Sequence, residues 1–187
     1  MVFFSFQEVI DAVIMTAAVG FIFMDMFRAH LPKTNPLFYG VDWNAFLFSC
    51  AVAAPALIAH ELSHKFTAIM FGLEAVFHAA YTWLGIGLVL KFLNSGFIFF
   101  VPGFVQISAG ATPLQHSLIA FAGPFLNLVL WLCATLVLRK ERLSRKQFLF
   151  FESTRKLNMF LFIFNMLPIP FFDGWSVYTG LWRVFVG

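Results

Sequence analysis

Charge is what this sequence has least of. Only 11% of its 187 residues are Asp, Glu, Lys or Arg, against about 25% in an ordinary soluble domain. That deficit excludes a water-bounded globular fold. Cysteine is almost missing as well: Cys50 and Cys133 both fall inside apolar stretches, so a disulfide framework is excluded and both read as small buried hydrophobes. The net charge of +3 comes from small local clusters, and nothing in it argues for a nucleic-acid partner. The N-terminus MVFFSFQE has no positively charged region, and no small-residue cleavage site follows the first apolar run. That run is therefore expected to stay as a membrane span. No internal repeat or low-complexity tract interrupts the chain, so residues 1–187 are expected to form a single membrane domain.

What is present is apolar. Hydrophobic residues make up 61% of the chain, 28 of them phenylalanine, and the mean hydropathy is +0.87. This composition predicts an all-α, multi-pass protein of the cell membrane in contact with lipid. A spanning helix needs about 20 mostly apolar residues. Val9–Phe27 qualifies, with Asp11 and Asp25 near its ends, where solvation at the membrane interface is expected. Segment 28–42 contains Pro32, Asn35, Pro36 and Gly40 and reads as a loop. Asn44–Phe71 is a second helix, ended by Gly72; Pro55 within it is either a bend or a tolerated membrane proline. His78–Gln106 is apolar but broken by Lys91, Asn94, Gly96, Pro102 and Gly103. It predicts either one full span or a short extended or re-entrant segment near 79–110. Segment 108–115 reads as a loop and Ser117–Leu138 as a span. After the basic run Arg139–Lys146 comes a further span, Phe148–Met166, carrying Glu152, Arg155 and Lys156. Pro168 and Pro170 end it, and Gly174–Val186 is a short terminal helix. About five to six membrane segments are expected.

Within the second helix lies Ala59-His60-Glu61-Leu62-Ser63-His64. Histidines at i and i+4 share one helical face, so both imidazoles can reach one zinc ion, with Glu61 beside them to take a proton from water. Zinc at a site with three protein ligands brings the pKa of water to about 7. A short motif of this kind can arise by chance, but the setting argues against that. Each charge at mid-bilayer costs at least ~2.5–3.5 kcal/mol, and three ionisable side chains here share about one and a half turns of an apolar helix. His64 lies roughly 10 Å from the helix end at Phe71, so the site belongs inside the hydrocarbon layer near one face and needs a water-filled cavity. Two histidines leave such a site short of one protein ligand. Asp173 and Glu74 are the candidates. Asp173 stands out because Pro168, Pro170 and Gly174 break the helix and let the chain turn back. His78 and His116 fall at segment boundaries and read as interfacial residues.

Three motifs in order, HELSH, Gly123-Pro124-Phe125-Leu126-Asn127 and NMLPIPFFDG near the C-terminus, resemble those of the site-2 proteases. These are intramembrane zinc metalloproteases that cleave transmembrane or membrane-associated proteins. The resemblance covers about residues 44–180, where it implies a three-helix catalytic core. It points to a compact prokaryotic member without a PDZ domain. It further implies one zinc per chain on His60, His64 and Asp173, Glu61 as general base, and Asn165 near the metal, holding the substrate or its oxyanion. Gly123, Pro124 and Asn127 are expected on a closely packed neighbouring helix. The chain departs from the family in Phe172, where leucine is usual, and in a long apolar segment at 81–100. Similarity to the family places the site toward the cytoplasm, whereas the basic segments Arg28–Lys33 and Arg139–Lys146, read as cytoplasmic, place it on the opposite side; the orientation stays open between them. The extended stretch Val101–Gly110 is a candidate edge for pairing with an unwound substrate. Two other classes compete: membrane metalloproteases of lipidated peptides, which use a downstream glutamate as third ligand, and a non-catalytic zinc-binding membrane scaffold.

Overall fold

The computed structural model describes residues 4–28, 42–95, 102–140 and 142–187. Among the described residues, six helices and two strands follow in the order α1 (Phe6–Arg28), α2 (Trp43–Met70), β1 (Ala75–Ala79), α3 (Tyr81–Phe92), β2 (Gly103–Ile107), α4 (Pro113–Leu138), α5 (Arg145–Asn165) and α6 (Asp173–Val186). The protein is mostly helical. Among the described residues, α1, α2 and α4 are long and apolar enough to cross a membrane. The predicted loop at 28–42 lies, apart from its two ends, outside the described residues.

Near 79–110, where the sequence predicts either a full span or a short extended or re-entrant segment, the chain takes an extended form around a short helix. The segment near 79–110 contains a two-stranded sheet, β1 with β2, flanking a helix of 12 residues that is too short to span. Ser108 N donates to Glu74 O at one end of the ladder, and Ala80 N donates to Pro102 O at the other. These bonds make the strands antiparallel. They also place the N–H groups of Phe104 and Gln106 in the ladder and those of Val105 and Ile107 on the open edge.

Local chemistry explains the helix ends. At the end of α2, Gly72 takes φ +78°, with Gly72 N bonded to Ile69 O and Leu73 N to Ala68 O. This is the paired closure that a left-handed residue after the last turn permits. Helix α2 continues unbroken through Pro55. Helix α4 begins four residues earlier than expected because Thr112 and Gln115 form a reciprocal cap and Pro113 fits the first turn. Helix α5 likewise begins at Arg145, capped by Ser144 with Gln147. It has the length to cross a membrane but carries Arg145, Lys146, Glu152, Arg155 and Lys156. Glu152 answers part of that charge, at 2.7 Å from Arg155 and 3.3 Å from Lys156.

The chain falls into two compact units. One comprises Ile58–Phe77 and Val105–Gly187. Here α4 packs against α5 and α6, and Ser117 Oγ on α4 lies 3.1 Å from Val177 O on α6. A small cluster of Ala68, Ala75 and Ile119 receives Ile69, Leu73, Val105 and Ile107, which seats β2 beside the end of α2.

The other unit comprises Val2–Leu57 and His78–Phe104. Its α1 and α3 are joined by buried polar contacts as well as by packing. Asp11 is only 1% exposed, so the expected interfacial solvation is incorrect for it. Its carboxylate instead accepts hydrogen bonds from Ala79 N (3.0 Å), Tyr81 Oη (2.6 Å) and Gln7 Nε2 (2.8 Å). A buried carboxylate is tolerable when its lone pairs are filled in this way. Asp25 is exposed and pairs with Lys91 Nζ at 2.8 Å. His78, expected as interfacial, is partly buried, with Nδ1 3.8 Å from Asp11.

Candidate metal centre

His60, Glu61 and His64 lie on the stretch of α2 within the first unit, and all three are buried. Asp173 is the first residue of α6. The preceding segment turns differently from the expectation built on Gly174. It is Phe171 that adopts the left-handed conformation, φ +78°, an uncommon state for a bulky residue. Gly174 already belongs to α6, where a Cβ would fall 2.6 Å from the Met166 carbonyl. Phe172 fills the space under the turn, its ring 4.7 Å from that of Phe164. Tyr178 Oη donates to Met166 O. So anchored, the turn delivers the Asp173 carboxylate to the histidines.

Three ligand atoms converge. His60 Nε2 lies 3.1 Å from His64 Nε2, and Asp173 Oδ2 lies 3.0 Å from the first and 3.4 Å from the second. In a tetrahedral zinc site with bonds of about 2.0–2.1 Å, neighbouring ligand atoms stand about 3.3–3.4 Å apart. The spacing therefore fits one ion after an adjustment of a few tenths of an ångström. The far side of each ring is already engaged, His60 Nδ1 with Asn127 Oδ1 at 2.6 Å and His64 Nδ1 with Ile119 O at 2.7 Å. A carbonyl oxygen only accepts, so His64 carries a proton on Nδ1, and its neutral form turns the Nε2 lone pair inward. Lone pairs and a carboxylate oxygen facing one another call for a cation between them.

Helix α4 supplies the wall. Ile119, Gly123 and Asn127 recur every four residues and so share one stripe. Ile119 meets His64 and Asn127 meets His60, so α2 and α4 run in opposite directions here. Between them Gly123 is buried against both rings. A Cβ added there would sit 2.6 Å from His60 Nε2 and closer still to His64 Nε2, in the space an ion would occupy. The expectation that this glycine serves close helix packing is thus narrowed to its contact with the two imidazoles.

Of the sequence candidates, the structure brings together His60, His64 and Asp173 as a group able to hold a metal ion, with Glu61 buried in the same turn of α2. It does not bring in Glu74, which is exposed just before β1, or His116, which is exposed on α4. Asn165 closes α5, partly buried, outside this network. The sequence reading missed Asn158 and undervalued Asn127; both are 0% exposed. Their signal was available, since an amide in an apolar helix is costly unless bonded.

The chain is 33% identical over 184 residues to a protein of Methanocaldococcus jannaschii provisionally named a zinc metalloprotease, covering 98% of this chain and 88% of that one. The chain belongs to that zinc metalloprotease family. No family model matches it, and no solved structure does. Membership makes zinc the ion to weigh at His60, His64 and Asp173, and this donor set suits it.

Proposed function

We propose that this metalloprotease is an intramembrane enzyme of the site-2 type, which hydrolyses peptide bonds of transmembrane or membrane-associated proteins in a cell membrane. The observation that carries the reading is the convergence of two histidines from one apolar helix with Asp173 around a gap kept open by Gly123. Residues 1–187 act as one membrane domain of about five to six segments, with its catalytic core at about 44–180. His60, His64 and Asp173 hold one zinc per chain. When bound, zinc polarises the scissile carbonyl and acidifies water. Glu61 takes the proton from the attacking water and later passes it to the leaving amine. Asn165, at the end of α5, holds the substrate or its oxyanion. The open edge of β2, with the N–H groups of Val105 and Ile107, pairs with the unwound substrate strand.

The test compares wild type and Glu61→Gln, purified in detergent, for zinc content and for cleavage of a membrane-spanning substrate. Equal zinc, with cleavage by wild type alone, supports the reading. Zinc without Glu61-dependent cleavage across several substrates makes the chain a zinc-binding scaffold. Absence of zinc from both overturns the assignment of the three ligands.

A further inference from the structure

A histidine can hold a metal through Nε2 only when its proton sits on Nδ1. For His64 the Ile119 carbonyl enforces this. For His60 the partner is an asparagine side chain, which could present either its oxygen or its NH2 group. The direction is decided further back. Asn127 Nδ2 lies 2.9 Å from Asn158 Oδ1, and Asn158 Nδ2 lies 2.8 Å from the backbone oxygen of Thr154, one turn earlier on α5. That backbone oxygen only accepts. Asn158 must therefore turn its NH2 group to Thr154 and its oxygen to Asn127. Asn127 then has its NH2 on Asn158 and its oxygen on His60, and His60 must donate from Nδ1. One backbone carbonyl sets the polarity of three side chains in series, Asn158, Asn127 and His60. Both amides are fully buried, so water does not compete for their hydrogen bonds.

We infer that Asn127 and Asn158 are positioning residues for the metal centre: the chain Thr154–Asn158–Asn127 fixes His60 in the tautomer whose Nε2 faces Asp173 and His64. This rests on His60 being a metal ligand, as proposed above. It gives α5 a part in the site through Asn158, whose amide is bonded to Asn127. Changing the outer partners of a metal-bound histidine typically weakens metal binding about 10–100-fold.

The experiment uses zinc itself as probe. Wild type, Asn158→Leu and Asn127→Asp are purified in detergent, and zinc affinity is measured by competition with a chromophoric chelator. Nitrogen-15 spectra of the zinc-free histidines report the His60 tautomer. Both variants break the same Asn127–Asn158 bond, yet the inference separates them. Leucine at 158 takes away the acceptor that orients the Asn127 amide, so zinc binding should fall about 10–100-fold and His60 should populate both tautomers. A carboxylate at 127 accepts from His60 whichever way it turns, so zinc binding and the Nδ1–H signal should be kept. If Asn158→Leu does not accumulate as a helical protein, Asn158→Ala carries the same expectation. Equal losses in both variants would mean that the network only supports packing, and unchanged affinity in Asn158→Leu would mean that His60 needs no such help; either overturns the inference. If wild type itself takes up no zinc, the failure belongs to the functional reading instead.

Discussion

His60 on α2 and Asp173 on α6 meet at 3.0 Å, although one lies in the first third of the chain and the other near its end. Their contact brings the third atom into the group that could hold a metal ion. Asp173→Ala should therefore lower zinc affinity by more than about a hundredfold, beyond what outer partners of a ligand contribute. Glu74→Ala, at the competing acid, should leave it unchanged. Chelator competition on the two purified variants checks both, and a loss with Glu74→Ala would reassign the ligand.

Gly123 faces both imidazoles so closely that any side chain enters the gap. Gly123→Ala removes no ligand, yet zinc content should drop well below that of wild type. Overpacking of this kind costs about 1–3 kcal/mol, so thermal stability should fall modestly while the helical signal persists. Full zinc content in this variant would show that α4 gives way and that the glycine has another purpose.

Asp11 joins α1 to the start of α3 within its unit. Asp11→Leu strands the buried Ala79 N–H, with a cost of about 1–3 kcal/mol for that donor, and also removes the bond to the exposed Tyr81 Oη. Tyr81→Phe removes only one bond, with a net effect of about 1 kcal/mol. Melting temperatures in detergent should rank wild type above Tyr81→Phe, and Tyr81→Phe above Asp11→Leu. A melting temperature for Asp11→Leu equal to that of wild type would contradict the arrangement.

Proline at Val105 or Ile107 removes an N–H from the open edge of β2 and spares the ladder to β1. If that edge receives substrate, cleavage should fall at least about tenfold for each, the scale of one or two lost backbone hydrogen bonds, with zinc content intact. Unchanged cleavage would remove β2 from substrate binding.

The local features of this protein were legible in its sequence, because they depend on neighbours within one or two turns. The i, i+4 spacing of His60 and His64, the lengths of the apolar runs, the stop at Gly72 and the break at Pro168 and Pro170 are of this kind. The caps at Thr112 and Ser144 were equally local, and reading through them cost three or four residues at the starts of α4 and α5. The segment near 79–110 was less decided, since an apolar run broken by glycine and proline suits a strand, a short helix or a span, and only pairing between β1 and β2 selects among them. Other features were fixed by packing between distant parts of the chain. Asp11 reads as an interfacial acid until Ala79 and Tyr81 are brought to it. Gly123 reads as a packing glycine until two imidazoles lie against it. Asn158 stands out in the sequence as an amide in a helix, but its role does not, because a hydrogen bond's direction depends on which group stands at the far end. Sequence supplied donors and acceptors at their spacings; the tertiary structure decided which of them meet, because burial forces each to find a partner.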